Sequence, residues 1–434
     1  MTDSKHEEDR RAALVAYLSS GHRGRQPQSQ AAIAGMGLAG LTSQSAVSRA
    51  YNRAVQLGYL REAAPVLEVD RLRADDVFEH VEYLDNMIEL KERLTSTAEA
   101  EGWPRVPVVH GIPVRLDLKE TLEKRRRLTH TFFGFAGEIV YGLVRDCRRV
   151  GISWGETMNN LVSSLDDHVA ALPTKPRTSV LEAVVPLVGE PPAGVTSEFS
   201  ATLLAERLLR ALPHDPKSVE RLTLRYVHSF VSNDLARHYN DHDLLAGTQR
   251  ALAYYREVSS YKKIFGSGKK DDSVPFVQSL DAIITSLSWD GVPWGIHTQE
   301  SEEDGGIPSS KKSYMLPSDA DVVTAVEELA IGDICGVLLP SEDGNRERLD
   351  DLQSRWTGIQ PSQLGRLAAK AAERNQPGVI VVAFGVEKVK TTLAALRGGY
   401  VNHLVIGEHL AQGLVNALPE APRPSNDHGM KTRK

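Results

Sequence analysis

Two groups of side chains have the residue types and spacing needed to bind another molecule. The first is the polar face of a helix predicted over residues 42–54. Hydroxyl, amide and guanidinium groups at the start of such a helix can reach the base edges and phosphates of DNA. The candidates are Ser43, Gln44, Ser45, Ser48, Arg49 and Arg53, with Gln28 and Gln30 on the preceding helix, which would cross the DNA backbone. The alternative is a small helical domain whose exposed face is merely polar.

The second group belongs to the C-terminal two thirds of the chain. Residues 153–157 form a small-residue turn that opens a helix, so backbone N–H groups and the hydroxyls of Ser153 and Thr157 could hold a phosphate or a sugar hydroxyl. Asp333 lies near a strand end, where open α/β sheets bind ligands, although an Asx turn or a cap explains it equally well. Lys388 follows the turn that contains Gly385 and could balance an anionic ligand; the alternative is a solvated surface lysine.

The elements that would position the first group form a winged helix-turn-helix. Helices are predicted over residues 8–19, 28–35 and 42–54, with Thr42 or Ser43 as the last N-cap, and residues 59–62 begin a wing. Residues 10–61 contain no Asp or Glu but several arginines. An acidic chain of net charge −6 with one purely basic end has the electrostatic pattern of a DNA-binding module.

The rest of the chain is predicted to be a linking helix followed by an α/β domain. Residues 70–98 have a helical apolar repeat, which fits either a core face or a dimer seam. From residue 105, short β-rich runs alternate with helices, which indicates a doubly wound parallel sheet. Strands are predicted over 106–109, 150–153, 180–188, 333–339, 379–383 and 403–405, and helices over 121–145, 156 onward, 198–212, 363–375 and 387–398. Residues 288–318 are predicted to be a surface loop or a partly disordered segment.

Bulk properties exclude several classes of protein. The 434 residues include no apolar run of the roughly 20 that a membrane span needs, and the charged N-terminus does not resemble a signal peptide. We therefore expect a cytoplasmic protein. Cys147 and Cys335 are expected to be buried thiols, and no Cys or His spacing fits zinc; His238 and His242 lack the glutamate of a metalloprotease. No metal and no cofactor are predicted.

Several segments resemble the SorC/DeoR-type sugar-responsive transcriptional regulators. Residues 150–158 read Val-Gly-Ile-Ser-Trp-Gly-Glu-Thr-Met, similar to the family's G-x-S-W-G-x-T-L, and residues 184–189 read Val-Val-Pro-Leu-Val-Gly, which contains its V-P-L-V-G. Residues 332–336 read Gly-Asp-Ile-Cys-Gly. Lys388 and residues 393–402 resemble K-x-x-x-I-x-A-A-L-R-G-G-x-V-N, and residues 28–35, 45–49 and 54–59 resemble the DNA-binding module.

The resemblance implies a domain plan and a function. The plan is a DNA-binding domain at 8–64, a linking or dimerisation helix at 65–104, an effector domain at 105–418 related to sugar-phosphate isomerase and deaminase folds, and a disordered tail at 419–434. A sugar or sugar-phosphate effector would control the binding of operator DNA by a homodimer or homotetramer, without a membrane. The effector residues implied are Ser153, Trp154, Gly155, Thr157, Asp333, Gly385 and Lys388.

Two other functions remain open at this point. The fold resemblance makes a sugar-phosphate enzyme conceivable, but no paired carboxylates or His–Asp arrangement falls on the ligand loops, and fold alone confers no activity. The sequence departs from the family pattern at 285–288 and 384–386, around the expected pocket. A regulator with a degenerate pocket, answering to a non-sugar ligand or a protein partner, is therefore the second alternative.

Overall fold

The computed structural model describes a helical N-terminal part and a larger α/β part. It covers residues 8, 11, 12, 14–16, 29–36, 40–56, 60, 61, 64–67, 74–115, 121–172, 180–190, 199–225, 227–266, 274–288, 320–342 and 344–420. Its helices are α1 Gln30–Met36, α2 Gln44–Gln56, α3 Ala74–Glu101, α4 Leu122–Val144, α5 Glu156–Ala170, α6 Ala201–Ala211, α7 Asn233–Tyr239, α8 Leu244–Glu257, α9 Ser259–Phe265, α10 Ala320–Leu329, α11 Arg346–Ser354, α12 Pro361–Arg374, α13 Val389–Arg397 and α14 Glu408–Ala417. Its strands are β1 Leu60–Arg61, β2 Ala64–Leu67, β3 Val108–Ile112, β4 Arg149–Ile152, β5 Ala183–Pro186, β6 Glu220–Arg221, β7 Ala282–Thr285, β8 Ala330–Ile334, β9 Val337–Pro340, β10 Gly378–Ala383 and β11 His403–Gly407.

Seven strands form one parallel sheet, as the alternation of strands and helices predicted. Their order is β3-β11-β10-β7-β4-β5-β6, and every pair of neighbours is parallel. From β4 the chain adds β5 and β6 in one direction, and from β7 it adds β10 and β11 in the other. The sheet is therefore doubly wound, and its order reverses between β4 and β7.

Helices cover both faces of the sheet, because the strands alternate buried side chains between two cores. On β10, Val379 and Val381 point into the core that includes α12, α13 and α14, while Ile380 and Val382 point into the core that includes α4, α5 and α6. All six residues of β10 are buried. This near-continuous apolar run is typical of a parallel strand that is covered on both sides.

The N-terminal part contains the predicted reader helix and a hairpin. Ser43 caps α2 by accepting a hydrogen bond from the Ala46 N–H at 3.2 Å, which confirms one of the two predicted N-caps. The helix begins at Gln44 and ends at Gln56, two residues later than predicted at each end. β1 and β2 pair antiparallel directly after it, where a wing was expected. The candidate Gln28 lies outside the described residues.

The linking helix α3 packs on its own chain along the half whose side chains are described. Met87, Leu90 and Leu94 are fully buried in the core shared with α14. The Arg93 guanidinium donates to the carbonyl oxygens of Val415 at 3.0 Å and Leu418 at 2.8 Å, at the end of α14. The predicted apolar face is thus a core face over this half. The side chains at 77, 81 and 84 lie outside the described residues, so the dimer seam stays a prediction there.

Helix α3 is also tied to α13 at its last residue. The Arg397 guanidinium donates to both carboxylate oxygens of Glu101, at 2.9 and 3.3 Å, and the Trp103 indole N–H donates to the same carboxylate at 2.8 Å. The end of the linking helix is therefore held by two helices of the α/β part.

The strand predicted over residues 333–339 was wrong, because this segment is a hairpin of two strands. β8 and β9 pair antiparallel around a turn at Cys335 and Gly336, whose φ angles are 55° and 79°. Two consecutive residues in the left-handed region reverse the chain with the twist that a hairpin needs. A side chain at Gly336 would overlap the Trp356 indole, so glycine is required there by space as well as by its backbone angle.

Candidate functional site

The predicted effector residues gather at the carboxyl edge of the sheet, where the strand order reverses. β4 and β7 are neighbours, and their chain connections leave in opposite directions, which opens a crevice beyond their carboxyl ends. Ligands of doubly wound sheets bind in this crevice. The segment 153–157 follows β4, and the segment that contains Gly385 and Lys388 follows β10, the other neighbour of β7.

The turn after β4 has the geometry of a helix start, but part of its hydrogen-bonding capacity is already used. Gly155 has a φ of 107° and is the N-cap of α5 without a side-chain bond, so the turn requires glycine. The Ser153 N–H donates to the Ile284 oxygen and the Gly155 N–H to the Phe199 oxygen, both at 3.1 Å. Two of the N–H groups considered for an anion therefore bind neighbouring backbone instead.

The side chains of this turn differ in how accessible they are. Ser153 and Trp154 are buried, whereas Thr157 is half-buried. The Trp154 ring lies edge-to-face against Trp356, with 6.1 Å between the ring centroids. Trp154 thus contributes a packed aromatic wall, and Thr157 is the more accessible hydroxyl of the two that the sequence singled out.

Asp333 ties the end of β7 to the β8–β9 hairpin. One carboxylate oxygen accepts from the Ser288 hydroxyl at 2.6 Å and the other from the Gly336 N–H at 2.8 Å. The Asp333 N–H donates back to the Ser288 oxygen at 2.7 Å, and the Ser288 N–H donates to the Asp333 carbonyl at 3.1 Å. Asp333 is therefore the turn-forming residue of the alternative interpretation, and it is buried at the edge where the ligand was expected.

Ser288 is a residue of this edge that sequence reasoning missed. It directly follows the largely apolar run 280–287, so a polar residue at the end of such a run was the available signal. Thr285, the last residue of β7, is also fully buried. The family departures at 285–288 therefore fall on residues that bond or pack at the crevice.

Lys388 is a buried lysine and not the solvated surface residue of the alternative interpretation. Only 4 % of its surface is exposed, and its ammonium nitrogen lies 5.6 Å from the centre of the half-buried Phe384 ring. Burial lowers the pKa of Lys388, while the negative charges of Glu387, Glu156 and Asp333 act to raise it. The lysine and the three carboxylates thus share one electrostatic environment.

The turn before Lys388 is shaped by a glycine and an aromatic ring. Gly385 has a φ of 98°, and a side chain on it would overlap the Glu387 carboxylate. Phe384 packs against Phe132 and Phe133 of α4, with centroid distances of 5.0 and 5.5 Å. The Glu387 carboxylate therefore occupies the space that a side chain at position 385 would take.

The candidate DNA-binding residues of α2 divide by exposure as the predicted recognition helix requires. Val47, Ala50 and Ala54 are buried. Among the candidates, Ser43, Gln44, Ser45 and Arg49 are exposed, and Ser48, Arg53 and, on α1, Gln30 are half-buried. A polar face beginning at the N-terminus of the helix can enter a major groove.

Neither a metal cluster nor a reactive thiol is found in the part of the chain that the structure describes. Within it, no three His, Cys, Asp or Glu side chains gather around one point, and no helix is long and apolar enough to cross a membrane. Both cysteines are buried thiols. Burial raises the pKa of Cys147 to about 12 and raises that of Cys335 as well, so both stay protonated near neutral pH.

A comparison with protein families finds a match for the C-terminal part of the chain. Residues 309–416 match the family described as "Putative sugar-binding domain". The matched segment includes Asp333, Gly385 and Lys388, and it confirms, for this part of the chain, the predicted resemblance to sugar-binding regulators. The sequence has no match among curated proteins.

Solved structures of transcription regulators are similar to the chain at low identity. Full-length sorbitol operon regulator SorC from Klebsiella pneumoniae shares 17 % identity over 93 % of this chain and 99 % of that one, with a TM-score of 0.45. A transcriptional regulator from Streptococcus pneumoniae shares 16 % over 77 % and 98 %, with a TM-score of 0.44. A DeoR family regulator from Listeria monocytogenes shares 14 % over 74 % and 98 %, with a TM-score of 0.41. At these identities and TM-scores, the structural similarity supports no conclusion about the effector or the operator of this chain.

Proposed function

We propose that this chain is a cytoplasmic DNA-binding transcription regulator of the SorC/DeoR type, whose operator affinity is controlled by a carbohydrate effector. The observation that carries the proposal is the family match over 309–416, since three of the matched residues lie with 153–157 at the reversal point of the sheet. The exposed polar start of α2 supplies a DNA-reading surface at the other end of the chain.

The mechanism couples two binding events through the linking helix. Two copies of the chain would hold two readers at half-sites about one or more helical turns of DNA apart. The effector would bind near Ser153, Thr157 and Lys388 and change how the subunits pack, which changes operator affinity. No catalytic step is part of this function.

The effector arm is tested with Lys388. Lys388→Met should abolish the response of operator binding to the effector while leaving binding without effector unchanged, because Lys388 lies in the crevice and far along the chain from α2. The matched control is Lys390→Met, since Lys390 is exposed two residues further on. A binding titration on operator fragments recovered from the source genome, with and without sugars, measures both. An unchanged effector response in Lys388→Met would remove Lys388 from the site.

The DNA arm is tested with Arg49. Arg49→Ala should weaken operator binding by about 1–3 kcal/mol if the guanidinium pairs with a base. Arg366→Ala removes a similar exposed charge from α12 and should leave operator binding unchanged. An equal loss on operator and on random DNA would make Arg49 a phosphate contact, and no loss on either would contradict α2 as the reader.

A further inference from the structure

Three structural elements at the carboxyl edge of the sheet carry a glutamate at their first or second residue. Glu156 is the first residue of α5 and Glu408 the first of α14, and Glu387 lies in the short turn Val386–Lys388 that precedes α13. The start of a helix attracts negative charge, which is why phosphates bind there. At this edge the chain places carboxylates in those positions.

Two cationic groups at this edge, Arg115 and Lys388, have carboxylates of the chain close to them. Arg115 pairs with Glu408 at 3.4 Å. The ammonium group of Lys388 lies in the field of Glu387, Glu156 and Asp333, and the Glu387 carboxylate covers Gly385. A phosphate monoester carries about 1.5–2 negative charges near neutral pH. Beside Lys388 it would meet three carboxylates of like charge.

The backbone donors that a phosphate would need are also partly used. The N–H groups of Ser153 and Gly155 donate to the carbonyl oxygens of Ile284 and Phe199. Carboxylates, in contrast, accept hydrogen bonds from hydroxyl groups, and a charged acceptor makes these bonds stronger than neutral ones. The described edge therefore fits a ligand with many hydroxyl donors better than it fits an anion.

We propose that the effector is an uncharged polyhydroxylated molecule, a sugar or polyol without a phosphate group, whose hydroxyls donate to Glu156 and Glu387 and accept from Lys388. This inference rests on the proposed function, because it names the ligand class of the same site. Phosphorylation of that ligand weakens its binding.

The experiment compares matched pairs on the full chain. Glucose, fructose and sorbitol are each tested beside their 6-phosphates, with inorganic phosphate as a further probe, by calorimetry and by the shift in melting temperature. The expected result is that an uncharged member binds, stabilises the protein and changes its binding to operator fragments. Its phosphorylated partner should bind at least about tenfold more weakly, which corresponds to about 1.4 kcal/mol.

Charge-removing variants test the physical reason. Glu156→Gln and Glu387→Gln keep the size of two exposed side chains. Each should reduce, by severalfold, the ratio of the Kd of the phosphorylated sugar to the Kd of its uncharged partner. Glu373→Gln is the matched control, because Glu373 is exposed near the end of α12, at the opposite edge of the sheet. It should leave this ratio unchanged.

The outcomes distinguish a failure of this inference from a failure of the proposed function. A phosphorylated sugar that binds as tightly as its uncharged partner, or more tightly, overturns the inference and supports the proposed function. An unchanged ratio of the two Kd values in both glutamine variants also overturns the inference. If neither member of any pair binds or changes operator affinity, the proposed carbohydrate control is overturned, and the inference with it.

Discussion

Replacing Asp333 tests whether this carboxylate holds the crevice together in the absence of any ligand. In Asp333→Ala, the Ser288 hydroxyl and the Gly336 N–H each lose their acceptor. Both groups lie in the contact between the end of β7 and the hairpin, where Gly336 is buried and Ser288 half-buried. The hairpin turn at Cys335 and Gly336 then has no bond to the neighbouring segment through this side chain.

The expected cost follows from those two donors. A buried donor left without a partner costs about 1–3 kcal/mol, and the half-buried Ser288 lies at the lower end of that range, so Asp333→Ala should lower the free energy of unfolding by about 2–4 kcal/mol. That is a large share of the roughly 5–15 kcal/mol that stabilises a typical domain. Asp333→Asn keeps one carbonyl oxygen and should lose about 1–2 kcal/mol, since one acceptor becomes a neutral donor.

Urea unfolding followed by circular dichroism, without sugars, measures these changes. Asp350→Ala is the control, because Asp350 is exposed on α11 and should stay within about 0.5 kcal/mol of the parent protein. A loss of less than about 1 kcal/mol in Asp333→Ala would refute the reasoning. It would then leave ligand contact as the role of this residue.

Two further predictions concern a turn and a buried histidine pair. Gly336→Ala should lower the free energy of unfolding by more than about 2 kcal/mol, because the new methyl meets Trp356 and φ is positive. Gly365→Ala, inside α12 where the new methyl meets Tyr400 at an ordinary van der Waals distance of 3.7 Å, should raise it by about 0.5–1 kcal/mol in the same urea assay. Burial lowers the pKa of His110 to about 3, with added repulsion from His403 and Lys91, and burial lowers that of His403 to about 4. Between pH 6.5 and about 4 only the unfolded chain takes up these protons. As the pH is lowered through this range, the free energy of unfolding should therefore decrease by up to about 1.4 kcal/mol per pH unit for each histidine. A double His110→Asn, His403→Asn variant that keeps the full slope would contradict this assignment.

The alternation of strands and helices could be predicted from the sequence because each strand is a short apolar run between turn residues. The order of the strands could not, since periodicity carries no information about neighbours. The reversal between β4 and β7, which places the site, comes from long-range packing. The end of β4 and the start of α5 were nonetheless predicted to within one residue, because Gly155 and the small residues around it mark the turn between the strand and the helix.

The hairpin at 330–340 shows where local patterns fail. Its two strands flank only Cys335 and Gly336, and the whole segment reads as one apolar strand. The positive φ of Cys335 is unusual for a residue other than glycine and depends on packing at the turn.

The environment of the candidate site could be predicted only in part. Asp333 and Lys388 were identified by position, but their surroundings were not. The burial of Lys388 depends on Phe384, which is held by α4 more than 250 positions earlier in the chain. The partner of Asp333, Ser288, comes from another strand.

The contacts of Arg93 and Glu101 anchor one end of the linking helix α3, so a small tilt of the helix produces a larger displacement at its other end. Arg93 and Glu101 fix its last turns to α14 and α13, and α13 begins one residue after Lys388. From Arg93 back to Ala74 the helix runs about 28 Å, at 1.5 Å per residue. A tilt of about 5° about the anchored end therefore displaces Ala74, at the start of the helix, by about 2.5 Å. In the proposed mechanism, a small rearrangement around Lys388 would therefore be enlarged along this helix.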